Sequence, residues 1–416
     1  MPEQIFSPAD ILLPPYGPDS GDWEKWSVIA CDQFTSEKEY WDKVRGTVNY
    51  APSAFDLILP EAFLSTDEEE PHRKRIAESM NYLGDFLKKY PSSLVYVERT
   101  LKGCCVSPDG TRCDGVRRGI VGKIDLECYD YTTGSASSVR PTEATVLDRI
   151  PPRMKIRGES AYEFPHAMVF TDGALGIFGM LDSAKDRMTK LYDFELMLGG
   201  GHIAGYLIEG ELLDLTVSKI AEYENSFTGD APVVYAVGDG NHSLAAAKAH
   251  YEATKGKAGY EAARWALCEI VDIAEDSIEF EPIYRIVKNC DRADLIGELE
   301  KLSGDGEQKV TVVSGVEERE LSFADATHAL TVGTLQNFID AYVKAHPGAE
   351  CDYIHGAGSL RSLAAQDNAV GFLFDGLKKE ELFPYVQANG VLPRKTFSMG
   401  DSYSKRYYTE ARQIAE

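Results

Sequence analysis

The sequence predicts a mixed α/β protein of the α+β class, built on a mixed β-sheet, with a more peripheral α/β portion toward the C-terminus. Three observations lead to this class. The 416-residue chain is 44% hydrophobic and 26% charged, which is typical of a protein that buries a substantial core. Short apolar runs of strand-like composition alternate with segments of helical periodicity. One apolar strand, 232–237, leads through a glycine turn directly into an alanine-rich helix.

The N-terminal part is expected to begin with a strand that brings polar side chains to a loop. The apolar run 26–31 predicts this strand, and Asp32 and Gln33 follow it. Ligand contacts in α/β proteins often lie directly after such a strand. The segment 71–90 has apolar residues at helical spacing after an acidic run, which is typical of the start of a helix.

Further strands are predicted where β-branched and aromatic residues cluster between turn residues. The strands predicted at 94–100 and 119–126 are separated by a glycine-bearing loop, which favours an antiparallel pair. The cluster Gly199-Gly200-Gly201-His202 predicts a flexible turn, with a backbone nest for an anion as the alternative. The strands predicted in this way cover 94–100, 119–126, 164–171, 265–271 and 278–287.

We expect the chain to be organised in three parts. Residues 1–290 form an α/β core that carries the ligand site, 291–370 form a peripheral α/β portion, and 371–416 form a C-terminal segment that returns to the core. The peripheral portion is assigned from its helical periodicity and one extended run.

The strongest local signal for function is the turn 238–243, between a buried strand and the alanine-rich helix. Its two glycines would let the backbone approach a ligand, and the helix N-terminus offers N–H groups to phosphate or carboxylate. Asp239 and His242 add the groups of a base and a proton carrier. In the alternative interpretation this is only a capped helix start, with Asn241 or Ser243 as the N-cap.

The charge balance constrains the partners. The chain carries 43 Lys and Arg against 67 Asp and Glu, a formal net charge of −24. We therefore expect no nucleic-acid partner, and any small anionic ligand must meet a local group of cations. The stretch 140–157, which begins with Arg140, and the pair Arg394 and Lys395 favour such a group. Pairing with neighbouring acids on the surface is the alternative.

No contact with a membrane is expected. The longest apolar stretch, 174–181, is far shorter than the ~20 residues that a bilayer span needs. Residues 1–15 carry no Lys or Arg, so a secretory signal is not predicted and we expect a cytoplasmic protein.

Metal binding by side chains alone is not expected. The eight cysteines include no C-x-x-C pair, which favours reduced structural thiols over a zinc site at the three cysteines of 104–113. A site built from His166, His202 and His242 stays open as an alternative, but no His-x-x-x-His pair supports it.

Five segments of the sequence carry a family resemblance. They are Asp32-Gln33, 139–145 (Val-Arg-Pro-Thr-Glu-Ala-Thr), 239–243 (Asp-Gly-Asn-His-Ser), 282–285 (Pro-Ile-Tyr-Arg) and 392–396 (Leu-Pro-Arg-Lys-Thr). Together they resemble, over nearly the whole chain, the bacterial and archaeal family catalogued as domain of unknown function 1015. The family's commoner forms are His-Glu-x-Thr, Asp-Gly-His-His-Arg and Pro-x-His-Arg, so this chain departs from them at Thr142, Asn241, Ser243 and Tyr284.

The turn is also similar to the nucleotide-binding turn of the ParB, sulfiredoxin and free serine kinase superfamily. This similarity implies a ParB/sulfiredoxin-like core and a nucleotide-dependent phosphotransferase for a small hydroxyl metabolite such as a free amino acid, with ATP or ADP and Mg²⁺ as cofactors. A non-catalytic nucleotide or anion sensor is the alternative, because Ser243 offers no charge where the family has Arg. The catalytic residues predicted are Asp239, His242 and Glu143. The ligand-binding residues predicted are Gly238, Gly240, Asn241, Ser243, Arg140, Thr142, Thr145, His202, Arg285, Arg394 and Lys395.

Overall fold

The structure is a computed structural model that describes residues 4–106, 112–400 and 402–416. The chain divides into two compact units. The first unit comprises Met1–Glu279, Phe383–Val391 and Gly400–Glu416, and the second comprises Phe280–Leu382 and Leu392–Met399. Both contain helices and sheet, so the mixed α/β class is confirmed. Among the described residues, no helix is long and apolar enough to cross a bilayer.

The first unit contains most of the secondary structure. Its strands up to residue 279 are β1 (Phe6–Ser7), β2 (Ala9–Leu13), β3 (Val28–Ile29), β4 (Lys88–Val106), β5 (Arg112–Asp125), β6 (Val139–Pro141), β7 (Tyr162–Glu163), β8 (Ala167–Thr171), β9 (Thr189–Glu195), β10 (His202–Ile208), β11 (Tyr235–Asp239) and β12 (Trp265–Asp272). Its helices in the same range are α1 (Asp22–Trp26), α2 (Lys38–Val48), α3 (Glu69–Phe86), α4 (Ile150–Gly158), α5 (Phe178–Ala184), α6 (Gly210–Ser226) and α7 (Asn241–Thr254).

The remaining elements follow after residue 279. In the second unit the strands are β13 (Phe280–Lys288), β14 (Lys309–Ser314), β15 (Glu317–Ser322), β16 (Glu350–His355), β17 (Ala369–Leu373) and β18 (Phe397–Met399), and the helices are α8 (Arg292–Glu300), α9 (Thr331–Ala345) and α10 (Ala357–Ala364). Helix α11 (Leu382–Asn389) and the short strands β19 (Tyr407–Tyr408) and β20 (Arg412–Gln413) return the chain to the first unit.

The large sheet of the first unit is mixed, as the sequence predicts. Its strand order is β6-β11-β8-β12-β5-β4-β10-β9, with β1 beside β5 and β2 beside β4. Strand β11 is parallel to β6 and antiparallel to β8, whereas β12 is parallel to β8. The antiparallel pair expected from 94–100 and 119–126 is confirmed by the register Val95↔Val121 in β4 and β5.

Small side chains let α7 pack closely against its neighbours. Leu244 and Ala247 lie in the same core as Val237 of β11. On another face of the helix, Ala245 and Ala246 pack with Ile150 of α4. Alanine combines high helix propensity with little bulk, so this sequence both forms the helix and permits the close contact. The first turns of α4 and α7 are thereby brought to the same edge of the sheet.

The second unit is built on its own sheet, with strand order β15-β14-β17-β13-β16 and with β18 beside β13. Ile286 and Val287 are consecutive in β13 and lie in two different hydrophobic clusters, as the alternation of side chains along a strand requires. The division of the chain differs from the expected boundary at residue 290, because β13 hydrogen-bonds to β16, β17 and β18. The C-terminal segment is likewise shared, since 392–399 belongs to the second unit.

Candidate functional site

The turn 238–243, called here the glycine corner, lies at one edge of the large sheet. The ends of the parallel strands β6 and β11 and the start of the antiparallel strand β8 meet there. Asp239 ends β11 opposite Met168 of β8. Thr142 follows β6, and its hydroxyl donates to the Val237 carbonyl at 2.8 Å. The topology therefore brings residues from three separate segments to the same corner.

Both glycines of the corner are required by packing against β8. A Cβ at Gly238 would come within 2.1 Å of the Phe170 ring. Gly240 has a φ of +78°, and a Cβ there would come within 2.8 Å of the Ala167 Cα and 2.9 Å of the His166 ring. The sequence predicted that the two glycines let the backbone approach a ligand. In the structure, the space beside both glycines is instead occupied by β8 and the residue before it.

The N-terminus of α7 has no side-chain cap. Gly240 is the N-cap residue, so the capped-helix interpretation with Asn241 or Ser243 as the N-cap is wrong. The N–H groups of the first helical turn have no partners within the helix, and with the helix dipole they favour a negative ligand.

A lysine from the C-terminal segment pairs with the carboxylate of the corner. Lys405 Nζ lies 3.5 Å from Asp239 Oδ2, and both side chains are largely buried. Two fully buried arginines, Arg99 and Arg117, donate to the backbone carbonyls of 403–405 at 2.9 to 3.5 Å and so hold the segment that carries the lysine. Burial and the charge of Arg117 lower the pKa of Arg99 to about 9.

His242 is a neutral imidazole at neutral pH. Its Nε2 accepts a hydrogen bond from the Val146 amide at 3.1 Å, so the proton of the neutral ring lies on Nδ1. Burial, together with the positive charges of Arg153 and Arg149, lowers the pKa of His242 to about 4. The residue is therefore an uncharged hydrogen-bond donor, a role that differs from the proton carrier suggested by the sequence.

A second ionised pair lies at the corner, and the sequence analysis, which named Asp32 and His166 in separate contexts, did not predict that they meet. The ring of His166, just before β8, donates from Nε2 to Asp32 Oδ2 at 3.3 Å and from Nδ1 to the Tyr408 hydroxyl at 2.6 Å. Burial opposes the charge on both groups, but their mutual attraction outweighs it. The pKa of His166 is raised well above its ordinary value, and that of Asp32 is lowered.

A cleft with a volume of about 130 Å³ opens beside this pair. Cys31, Arg153, His166 and Ser243 contribute polar groups to its wall, and Arg153 also donates to Glu61. Apolar side chains also line the cleft, among them Leu57, Ile58, Leu59, Leu64, Ile156 and Phe164. The cleft can therefore bury an apolar part of a ligand while its charged part meets the corner.

Three other predicted residues lie near the end of β6 and the start of α7. Glu143 is half-buried after β6. Thr145 Oγ1 and Asn241 Oδ1 are buried and have no hydrogen-bond partner in the described part of the chain. Buried polar atoms of this kind normally have a partner, which can be water or a ligand.

Two predicted ligand residues of the first unit have other partners. Arg140 donates to the carbonyls of Ser137, at 2.7 Å, and of Ala231, and burial lowers its pKa. His202 lies on β10, where its Nε2 is 2.8 Å from Oδ1 of Asp193. Four strands, β8, β12, β5 and β4, separate β10 from β11 in the sheet. Arg140 thus anchors a loop, and His202 lies away from the glycine corner.

The three remaining predicted residues, Arg285, Arg394 and Lys395, belong to the second unit. All three lie around the ring of Tyr353 on β16. The predicted site residues therefore fall into two groups, one in each unit.

The chain belongs to the family described as "Protein of unknown function (DUF1015)", whose model matches residues 16–355. The family resemblance inferred from the sequence is thus confirmed. The matched range contains four of the five segments, and 392–396 lies outside it. None of the curated proteins matches the chain.

Several solved structures are similar to this chain at low identity. A mutant free serine kinase in complex with ADP is 13% identical, with a TM-score of 0.38, over 70% of this chain and 91% of its own. Free serine kinase in complex with AMP is 13% identical, with a TM-score of 0.37, over 70% and 90%. SbnI with a C-terminal truncation, from Staphylococcus aureus, is 10% identical, with a TM-score of 0.36, over 71% and 87%.

Proposed function

We propose that the protein is a nucleotide-dependent phosphotransferase that acts on a small hydroxyl metabolite such as a free amino acid. One observation carries the proposal: an uncapped helix N-terminus converges with two carboxylates, each paired with a cation, as Asp239 with Lys405 and Asp32 with His166. Phosphoryl transfer depends mainly on positioning and on neutralising the charge of the transferred group. The glycine corner supplies groups for both.

The phosphates of the nucleotide bind, in this proposal, at the first turn of α7. Lys405, Arg149 and Arg153 supply the positive charge. The two arginines belong to the stretch 140–157 that the sequence favours for an anion, whereas Lys405 was not among the predicted ligand residues. The depressed pKa of His242 supports this assignment, because Arg153 and Arg149 contribute to it through their positive potential. The Nδ1–H group of His242 donates to a phosphoryl oxygen.

Asp239 is proposed as the base, with Glu143 as a second candidate. The hydroxyl oxygen of the acceptor attacks the terminal phosphorus of ATP or ADP, and its proton passes to the carboxylate. The bond between that phosphorus and the bridging oxygen breaks, and the remaining nucleotide leaves with one phosphate fewer. The ion-paired Asp32 and His166 orient the acceptor beside the cleft.

The residues of the corner fit a Mg²⁺ ion that is held largely by the nucleotide. Among the described residues, no three His, Cys, Asp or Glu side chains are grouped to hold a metal by themselves. Mg²⁺ commonly binds through one or two carboxylates, phosphates and water. Where Glu143 acts as the base, Asp239 would supply a carboxylate to the ion, and the unpartnered Oδ1 of Asn241 suits a metal-bound water. When bound, the ion neutralises charge on the phosphates.

A non-catalytic nucleotide or anion sensor is the second candidate, and one contact favours it. The carboxylate of Asp239, the proposed base, is already paired with the Lys405 ammonium at 3.5 Å, so it must give up that ion pair to take a proton from a substrate. A sensor needs an anion-binding site at the N-terminus of α7, but it does not need a catalytic base.

Calorimetry with ATP and ADP, each with Mg²⁺, tests binding first. We expect heat of binding at or below millimolar nucleotide, and its absence would reject the phosphotransferase and the nucleotide sensor. Transfer is then measured with terminally labelled nucleotide and a panel of amino-acid and sugar acceptors, for the wild type and for Asp239→Asn. The matched control is Asp193→Asn, which removes the carboxylate paired with His202 on the far strands.

The two candidates give different results in this assay. Phosphotransfer predicts labelled acceptor with the wild type, a loss of at least about a hundredfold in Asp239→Asn, and normal rates in Asp193→Asn. The sensor predicts nucleotide binding without labelled acceptor and unchanged affinity in Asp239→Asn.

A further inference from the structure

The second unit gathers three cations around one aromatic ring. The guanidinium carbon of Arg285 lies 4.6 Å from the centroid of Tyr353, Lys395 Nζ lies 4.7 Å from it, and the guanidinium carbon of Arg394 lies 5.6 Å from it. Arg285 and Tyr353 are direct cross-strand partners in β13 and β16. Arg394 and Lys395 are exposed, whereas Arg285 is fully buried. Arg285 is thus the buried member of the cluster, and Arg394 and Lys395 form its accessible surface.

The buried arginine fixes the turn that carries the two exposed cations. Arg285 donates from Nη2 to the Arg394 carbonyl at 2.9 Å and from Nη1 to the Lys395 carbonyl at 3.1 Å. Thr396 closes the turn, since its hydroxyl donates to the Pro393 carbonyl at 2.7 Å. Lys395 has a φ of +53°, a left-handed conformation that is unfavourable for lysine. Such strain persists where the surrounding contacts over-determine it, and it clusters at binding sites.

The local charge around the ring is positive. The Lys288 ammonium pairs with Asp352 at 2.6 Å. Asp340, the other acid near the ring, accepts a hydrogen bond from Gln336 at 2.8 Å. The pKa of Asp352 is lowered first by Lys288 and also by Lys395, which agrees with a positive field at this surface. Three cations around one aromatic ring stand out in a chain whose net charge is −24.

We propose that Arg394, Lys395 and Tyr353 form a second anion site, specific for the phosphate group of a small phosphorylated molecule. A guanidinium matches two phosphate oxygens in one plane, an ammonium adds a point charge, and the phenol adds a hydroxyl donor. The site is complete within the second unit. It needs no residue of the glycine corner and does not rest on the proposed phosphotransferase activity.

Protection of lysines from acetylation tests the site in the wild-type chain. The full-length protein is treated with an acetylating reagent with and without inorganic phosphate, at constant ionic strength set with potassium chloride, and each lysine is quantified by mass spectrometry. We expect phosphate to slow acetylation of Lys395 by at least about threefold. Lys344, an exposed lysine of α9 in the same unit, is the internal control and keeps its rate. Equal rates at Lys395 with and without phosphate would overturn the proposal.

Matched variants then locate the anion. Arg394→Gln raises the phosphate concentration for half protection of Lys395 by about fivefold or more. Arg361→Gln removes an exposed arginine that pairs with Glu318 in the same unit, and it leaves that concentration unchanged. An equal effect of both variants would mean only a general charge effect and would refute a specific site. Failure of nucleotide binding at the glycine corner would leave the protection of Lys395 intact, so the two proposals fail separately.

Discussion

His166 Nε2 lies 3.3 Å from Asp32 Oδ2, although 134 positions separate the two residues in the chain. The raised pKa of His166 contributes stability that is fully present below the ordinary histidine value of ~6.5 and is lost as the pH rises through the folded value. The lowered pKa of Asp32 contributes stability that is present above the ordinary aspartate value of ~3.9 and is lost as the pH falls through the folded value. The pair is thus ionised across the neutral range.

The first prediction concerns the charge of His166. Asp32→Asn removes the attraction that outweighs burial, so the pKa of His166 should fall below its ordinary value. Titration of the imidazole C–H resonances by NMR measures the shift. Asp193→Asn, which alters the partner of His202, should leave the His166 resonance unchanged. An ordinary pKa for His166 in the wild type would contradict the ion pair.

The second prediction concerns acid stability at His72. Its buried Nε2 donates to the carbonyls of Phe55 and Ile58, and burial with the charge of Arg75 lowers its pKa to about 4. The unfolded chain therefore takes up this proton first, and as the pH falls from 6.5 toward 4 the folded state loses up to about 3 kcal/mol of stability at this residue.

His72→Gln keeps a donor for the carbonyls but removes the titration. The free energy of unfolding in urea, measured at pH 7 and at pH 4.5, should depend less on pH in this variant than in the wild type. An identical pH dependence in both proteins would show that His72 is not protonated on unfolding in this range.

The third prediction concerns the glycine corner. Gly240→Ala places a side chain in a left-handed conformation and against the backbone of Ala167, so we expect a loss of about 2–4 kcal/mol. Gly46→Ala is the matched control, since Gly46 lies in α2 with nothing within 4 Å of an added Cβ. That change should stabilise the helix by about 0.5–1 kcal/mol. Urea unfolding measures both, and a neutral Gly240→Ala would show that the corner can rearrange.

The fourth prediction concerns Arg285. Arg285→Met leaves the buried carbonyl of Ile283 and the part-buried carbonyls of Arg394 and Lys395 without this donor, and should cost about 3–5 kcal/mol. Arg319→Met removes only an exposed partner of Glu300 and should cost less than about 1 kcal/mol. Comparable losses in the two variants, measured by urea unfolding, would argue against an anchoring role for Arg285.

Local sequence patterns identified the elements but only part of the site. The strand, glycine turn and helix at 235–254 follow from apolar runs, glycines and alanines, all of which act through near neighbours. Arg140 was expected to meet a ligand, yet it donates to backbone carbonyls. A cation in a sequence shows its charge but not which oxygens surround it after folding, so its role could not be read from the pattern.

The pairing of remote segments accounts for what the sequence left undetermined. Asp32, His166 and Tyr408 share no local motif, because they are joined only when β3 pairs with β19 and β8 joins the large sheet. Lys405 reaches Asp239 because buried arginines hold its backbone.

The sequence by itself determined the mixed α/β class, the family and the turn with Asp239 and His242, since these depend on composition and on residues adjacent in the chain. Only the tertiary structure decided which charges meet. Burial and the approach of distant groups set both the partners and the protonation of His242, His166 and Asp32. Those conditions exist only after the strands have paired.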